Sequence, residues 1–389
     1  MTYAILGQGA GKMVDIFGTR KQKELFLKKM YTCEWGATML LTEPDAGSDP
    51  GAMKTTARKD GDDYIVSGRK WWSSGAASKD SKVSIVMGIT HPDAPPKSRY
   101  SMILVPMDAD GVEVVRDVPV FGYYHRGGHA EVAYHDVRVP ASHLIAGHGD
   151  GYMIAQARLG PGRIHHCMRA IGQAEKALEL MCKRSLMREA FGKPLAQLGE
   201  NFDLIAQARM DIEQARLLCL KAAWMMDQGD KRAAAPWISQ IKVAAPLMAL
   251  KVVDEAIQMH GGAGISQDFP LARMWTKIRT LRLADGPDAV HRRQIARHID
   301  EGLHRYFALI VGQRDQAARD RVREVDEFVV DLADTVERGA GPGLEKVAGE
   351  AGDRDDRDTR GTVQPDRRPE RTDQERREQP CERPLERHG

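Results

Sequence analysis

The chain has 389 residues, with 57 Lys and Arg against 55 Asp and Glu, a formal net charge of +2. That balance supplies no concentrated basic field for nucleic acid, and no run approaches the roughly 18 apolar residues of a membrane span. The five cysteines (Cys33, Cys167, Cys182, Cys219 and Cys381) are scattered and odd in number, which argues against a disulfide framework and for a reducing, cytoplasmic setting.

In chain order, residues 1–33 carry short helical turns among glycines. Gly7-Gln8-Gly9-Ala10-Gly11 has no adequate strand before it and misplaces the third glycine of a dinucleotide loop, so a plain loop is expected. Residues 22–30 form a short amphipathic helix. From 34 to 150 the texture changes to short apolar runs between turn signals, at 64–66, 83–89, 101–105, 112–118 and 131–139. Asp110-Gly111 is a turn dipeptide. This predicts a small antiparallel β domain, a barrel or sandwich. From 151 to 310 the pattern is helical, as in Leu204, Ile205, Ala208, Ile212, Ala215, Leu218, Cys219 and Ala222. Short joints between long helices predict an antiparallel bundle of four or five, giving an α+β chain. Residues 311–389 lose the apolar content of a core, and their dominant Arg, Asp, Glu and Pro predict a disordered, solvated tail.

Three segments carry chemistry. Leu40-Leu41-Thr42-Glu43-Pro44-Asp45-Ala46-Gly47-Ser48-Asp49 packs hydroxyls, glycine and proline into one turn. It offers backbone N–H groups and short O–H donors to a planar, hydrogen-bonding ligand. Trp71-Trp72-Ser73-Ser74-Gly75 supplies an aromatic face that can stack on a ring, with Ser74 on the same side as Trp72 if the segment is extended. Gln258-Met259-His260-Gly261-Gly262-Ala263-Gly264 is followed by Asp285-Gly286. His165 and His166 are adjacent, point to different faces of a helix and are read as structural; no metal-ligand spacing occurs.

Together these segments resemble the acyl-CoA dehydrogenase family over residues 20–310. The Thr-Glu-Pro turn, a Trp-x-Ser motif, Arg188 with Phe191-Gly192-Lys193, the Gln258–Gly262 segment and Asp285, 23 residues after Gly262, all match its pattern. Ungapped counting from Gly68 selects Trp72 and Ser74, with Trp71 and Ser73 as the alternative. The resemblance implies an FAD whose ring lies between β domain and bundle, touching Leu41, Thr42, Gly47, Ser48, Trp72, Ser74, Pro287 and Ala289. Arg188, Gln258, Gly261 and Gly262 would hold the ADP half of an FAD bound by a neighbouring subunit, in a homodimer or homotetramer. Ser48, Arg163 and Gly286 would touch acyl-CoA, and an electron-transfer flavoprotein would be the acceptor.

The chemistry follows independently of the resemblance. Removing vicinal hydrogens from an acyl thioester requires a base for the α-proton, a hydride acceptor and stabilisation of the thioester oxygen. Asp285 is the expected base, its pKa raised by desolvation in a dry pocket. Asp288 is the fallback, and an N-cap role for Asp285 ahead of Pro287 is the structural alternative. Most of the family has Glu at this position. Arg282-Leu283-Ala284-Asp285-Gly286-Pro287-Asp288 resembles the branch containing acyl-CoA dehydrogenase family members 10 and 11, which carries aspartate and acts on longer acyl chains and, in some members, 4-hydroxyacyl-CoA. Most of the family's N-terminal helical domain is missing ahead of the Thr-Glu-Pro turn, so a wetter pocket is expected. The competing readings are an acyl-CoA oxidase or flavin monooxygenase of the same superfamily, and an inactive or partner-dependent fragment.

Overall fold

In the computed structural model, which describes residues 5–311 apart from Arg126, the glycine-rich start of the chain is helical. Helix α1 (Ile5–Phe17) contains the Gly7–Gly11 segment, correcting the expected loop. The physical reason is close packing. A Cβ on Gly9 would lie 3.2 Å from Nε of Arg158, and one on Gly11 3.1 Å from the Tyr31 ring. Packing against these two side chains offsets the poor helix propensity of glycine. A second helical stretch follows as α2 (Arg20–Gln22), a π turn (Lys23–Leu27) and α3 (Lys28–Tyr31). Thr19 and Gln22 form a capping box. Gln22 Nε2 also donates to the carbonyls of Ser142 and Leu144, at 2.8 and 2.7 Å, tying the helices to the sheet.

The strands are β1 (Gly36–Leu40), β2 (Thr56–Asp60), β3 (Asp63–Ser74), β4 (Ser81–Ile89), β5 (Tyr100–Pro106), β6 (Val112–Asp117), β7 (His129–Pro140) and β8 (Leu144–Ile145). They form one sheet in the order β6-β7-β3-β2-β4-β5-β8, with β1 also on β4. The expected all-antiparallel domain is therefore mixed: β1 pairs parallel to β4, and β2 meets β4 in parallel at Thr56 and Ile89. A parallel neighbour needs a long crossover. The Thr-Glu-Pro loop and the β2–β3 hairpin, both lying between β1 and β4, supply it.

Period-2 alternation sorts the sheet. Val83, Ile85, Met87, Met102 and Leu104 pack with Met13 and Val14 of α1. The alternating Val86, Ile103 and Val105 pack with Tyr64, Val66, Val132 and Tyr134 of β3 and β7. Strands β4 and β5 are thus buried on both faces, which is why they read as continuous apolar runs.

Helix α4 (Gly151–Met187) starts against β5, where a Cβ on Gly151 would meet the Tyr100 backbone at 2.8 Å. It ends in a two-residue hairpin between β9 (Glu189–Ala190) and β10 (Lys193–Pro194). Phe191 and Gly192 at its tip both have positive φ, 51° and 75°, as a type I′ turn requires. Then come α5 (Asn201–Asp227), α6 (Lys231–His260), α7 (Gly262–Ile265), α8 (Leu271–Leu281) and α9 (Asp288–Val311). Alanines such as Ala170, Ala174, Ala208, Ala215, Ala245 and Ala249 line the core shared by α4, α5, α6 and α8, letting the helices approach closely. The expected disordered tail lies outside the described residues.

Candidate active site

Asp285 sits on the loop between α8 and α9, where Asp285 and Gly286 both have positive φ, 56° and 105°. The loop is held from three helices. Lys242 of α6 is fully buried. Its ammonium donates to the Leu281 carbonyl, an orphan acceptor at the end of α8, and reaches the Gly286 carbonyl at 3.4 Å. Burial lowers the Lys242 pKa. Arg163 Nε of α4 donates to the Asp285 carbonyl at 3.0 Å, and His291 Nε2 of α9 lies 3.2 Å from the same oxygen. Burial, together with the charges of Arg163 and Lys242, pushes His291 down to about 4.

The Asp285 carboxylate points to α4. Arg158 Nη1 lies 3.3 Å from Oδ1 and 3.2 Å from Oδ2, and His166 Nε2 lies 3.3 Å from Oδ2. The side chains of Arg158 and Asp285 are 8% and 14% exposed. This corrects the expected direction of its pKa shift: burial raises it, but the His166 hydrogen bond and the charges of Arg158, His166 and Arg163 outweigh burial and hold it well below the usual carboxylate range. The alternative N-cap role does not apply, because its oxygens face α4. The fallback base Asp288 is occupied elsewhere, with Oδ2 at 2.7 and 2.6 Å from Nε and Nη2 of Arg282.

The Thr-Glu-Pro turn closes on itself through reciprocal backbone bonds between Glu43 and Ala46. Glu43, which the sequence does not single out, is its anchor. Lys70 Nζ lies 2.8 Å from Oε1, and the amides of Lys54 and Thr55 donate to the carboxylate at 2.6 and 3.0 Å. Lys70 also donates to the Leu41 carbonyl at 3.1 Å. Burial drives Lys70 down to about 8 against the pull of Glu43, while for Glu43 the lysine charge and the hydrogen bonds outweigh burial and lower the pKa. The Thr42 carbonyl accepts from the Trp71 amide at 2.9 Å, so Leu41 and Thr42 lie beside β3. Gly47 and Ser48 are exposed.

Strand β3 slips register against β7 between Lys70 and Ser73. Trp72 sits in this bulge with φ 55°, so the simple extended alternation expected for 72 and 74 does not apply. Trp72 is exposed and Ser74 half-buried, whereas Ser73 is buried. Of the two alternatives, the Trp72–Ser74 pair is the accessible one. Ser74 Oγ lies 2.6 Å from Nδ1 of His129, whose ring is 5.6 Å from Trp72 and 4.8 Å from His125. Burial lowers the pKa of both histidines.

A cavity of about 540 Å³ lies at the far end of α4. Its lining brings together Arg188, Gln258, Gly261 and Gly262, and adds Arg184, one turn before Arg188. Arg184 Nε is buried without a hydrogen-bond partner among the described residues. A Cβ on Gly262 would meet nothing within 4 Å. Cations around open space at glycine backbone suit a phosphate-bearing ligand. Asp285 does not line this cavity; the structure gathers Asp285, Gly286 and Arg163 separately, with Pro287 just before α9 and Ala289 in its first turn. Among the described residues no group of three or more His, Cys, Asp or Glu is placed to hold a metal ion, and no helix is long and apolar enough to cross a membrane.

Arg158 and His166 escape sequence reasoning because their partner lies 127 and 119 positions away (285 − 158 and 285 − 166). The available signal is the run from 158 to 166, which sets Arg158, Arg163, His165 and His166 around Gly160-Pro161-Gly162.

The acyl-CoA dehydrogenase middle-domain model matches residues 38–137 and the C-terminal-domain model residues 149–299. FadE2 of Mycobacterium tuberculosis, assigned as an acyl-CoA dehydrogenase, is 51% identical over 290 residues, covering 74% of this chain and 71% of that protein. Acyl-CoA dehydrogenase family member 11 of Gallus gallus is 50% identical over 293 residues, covering 74% of this chain but only 38% of its own length. A solved structure from Mycobacterium abscessus, also assigned as an acyl-CoA dehydrogenase, superposes with a TM-score of 0.75 at 49% identity, covering 76% of this chain and 74% of that one.

Proposed function

The chain belongs to the acyl-CoA dehydrogenase family, and we propose that it oxidises acyl-CoA thioesters to trans-2-enoyl-CoA with FAD, as a step of fatty-acid β-oxidation or related acyl-CoA catabolism. The observation that carries this reading is the buried Asp285 carboxylate, gripped through its carbonyl and its oxygens by α4 and α9. Asp285 takes the α-proton. Because Arg158 and His166 keep it ionised, the base form is present throughout the physiological pH range. A weakly basic carboxylate then depends on acidifying the carbon acid, so hydrogen bonding at the thioester oxygen carries much of the barrier reduction. Bound FAD supplies the hydride-accepting ring. Thr42, Ser48, Trp72 and Ser74 would contact that ring, Leu41, Gly47, Pro287 and Ala289 would contact the cofactor nearby, and Ser48, Arg163 and Gly286 would contact acyl-CoA. Arg188, Gln258, Gly261 and Gly262 would hold the ADP half contributed by a second copy in a homodimer or homotetramer. An electron-transfer flavoprotein would accept the electrons. The free thiols of Cys33, Cys167, Cys182 and Cys219 fit a cytoplasmic setting.

The test is an anaerobic visible spectrum of the purified chain with FAD, before and after acyl-CoA esters of mixed length. Bleaching of the flavin band with formation of enoyl-CoA is expected. A protein that takes up no FAD, or binds it without bleaching, would sink the reading in favour of an inactive or partner-dependent chain. Turnover that consumes oxygen directly without a mediator would favour the oxidase or monooxygenase reading.

A further inference from the structure

Asp285 has two weaknesses as a base. It is one methylene shorter than glutamate, and it sits on a loop in a left-handed backbone conformation. The fixing groups come from one face of α4, at positions four residues apart: Arg158, Gly162 and His166. Arg158 reaches both oxygens, and His166 adds a second contact to Oδ2. Between them lies Gly162, where a Cβ would make ordinary van der Waals contact, 3.5 Å from Asp285 Oδ2 and 3.4 Å from Arg158 Nη1. Helix α1 closes the outer side through Gly9, packed against Arg158 Nε. His166 Nδ1 is buried with no partner among the described residues. Nε2 faces the carboxylate at 3.3 Å and carries the proton directed at it.

We propose that this face of α4 is a seat for the Asp285 carboxylate, in which Arg158 and His166 are positioning residues that aim the base at the α-carbon. The inference rests on the reading of Asp285 as the base. The seat explains how a short carboxylate on a strained loop acquires a fixed direction: its anchors are side chains of a 37-residue helix. Arg163, Lys242, Asp288 and His291 also surround the loop, but none of them is bonded to a carboxylate oxygen of Asp285.

The experiment compares Arg158→Met, Arg158→Lys, His166→Gln and Asp285→Asn in the FAD-loaded protein, with the flavin-to-protein absorbance ratio as the folding check. Arg158→Met and His166→Gln should lower kcat by about tenfold or more with KM little changed, because misaiming a reacting group costs rate rather than binding. The acidic limb of the kcat profile should move up by about one pH unit in Arg158→Met, as loss of an adjacent cation dictates. Arg158→Lys should bring the limb back without restoring full kcat, since lysine returns the charge but not the planar fork. Independently of turnover, the ring resonances of His166 should change chemical shift in Asp285→Asn, since Nε2 loses the carboxylate it faces. Wild-type kcat and limb in Arg158→Met, or His166 ring resonances indifferent to Asp285→Asn, would overturn the seat while Asp285→Asn stays inactive. Undiminished turnover in Asp285→Asn would overturn the base assignment and the seat with it.

Discussion

Lys70→Met should destabilise the protein by about 3 kcal/mol. The ammonium is fully buried and its partner Glu43 is 5% exposed, at 2.8 Å. At an effective dielectric near 20 the gross attraction at that distance is about 6 kcal/mol. Much of it is offset, because removing lysine also removes the cost of desolvating it. Deleting one member of a buried pair costs about 3–5 kcal/mol, since the other charge is stranded. Glu43 keeps two backbone donors, from Lys54 and Thr55, which places the loss at the lower end. Methionine retains most of the apolar stem, so a cavity adds little.

The assay is equilibrium urea unfolding of Lys70→Met, Glu43→Gln and the double variant. The double variant should be less destabilised than the sum of the singles by about 2 kcal/mol, the signature of a coupled pair. Strictly additive losses, or a Lys70→Met loss below about 1 kcal/mol, would refute the claim that this pair pins the Thr-Glu-Pro turn to β3.

The remaining predictions concern His291, Gly68 and Gly262. His291 is held down to about 4 from an ordinary 6.5. Between those values the unfolded chain binds a proton that the folded chain refuses, so stability falls as pH drops through that window. Urea unfolding at pH 7 and pH 5 should show wild type losing about 2 kcal/mol more than His291→Gln, and equal losses would contradict the buried neutral ring. Gly68→Ala would bring a Cβ to 2.7 Å from the Thr55 Cα, and a loss of about 2–3 kcal/mol is expected from this overpacking against backbone; a neutral result in urea would count against the close approach. Gly262→Val fills open space in the arginine-lined cavity. Fluorescence titration should show FAD affinity weakened by about tenfold, or 1.4 kcal/mol, at an unchanged unfolding midpoint, whereas unaltered affinity would remove this cavity from the cofactor site.

Much of the architecture is legible in the sequence because its signals are local. The apolar runs of β4 and β5 and the alanine-rich faces of α4 to α6 each follow from period. What is illegible depends on partners distant in sequence. Gly9 and Gly11 read as breakers, and only the approach of Arg158 and Tyr31 makes them helix-packing residues. The bulge that turns Trp72 outward is set by pairing with β7, which β3 alone does not encode. For Asp285, sequence reasoning captures burial but not the opposing cations, and so predicts the wrong direction of pKa shift. His166 reads as structural because adjacency to His165 is uninformative until a carboxylate 119 residues later (285 − 166) is placed against it.

Helix α4 acts as a ruler between the two functional clusters. Its early part presents Arg158, Arg163 and His166 to Asp285, and its end presents Arg184 and Arg188 to the cavity. Arg163 and Arg188 are 25 residues apart (188 − 163), which at 1.5 Å per residue is about 38 Å along the axis. An extended dinucleotide does not span that distance, so a single FAD cannot serve the base and the arginine cavity of one chain. Within the proposed function, each chain then uses its Asp285 on one cofactor and its cavity on another. Assembly and cofactor retention become one equilibrium, because a second copy must bring its cavity to the dinucleotide end of the FAD that lies at the first copy's base. The same geometry separates the two kinds of damage. Within the proposed function, substitutions at Arg158 or His166 would act on the aim of the base within one subunit, while substitutions at Arg184, Arg188 or Gly262 would act on the cofactor of its neighbour.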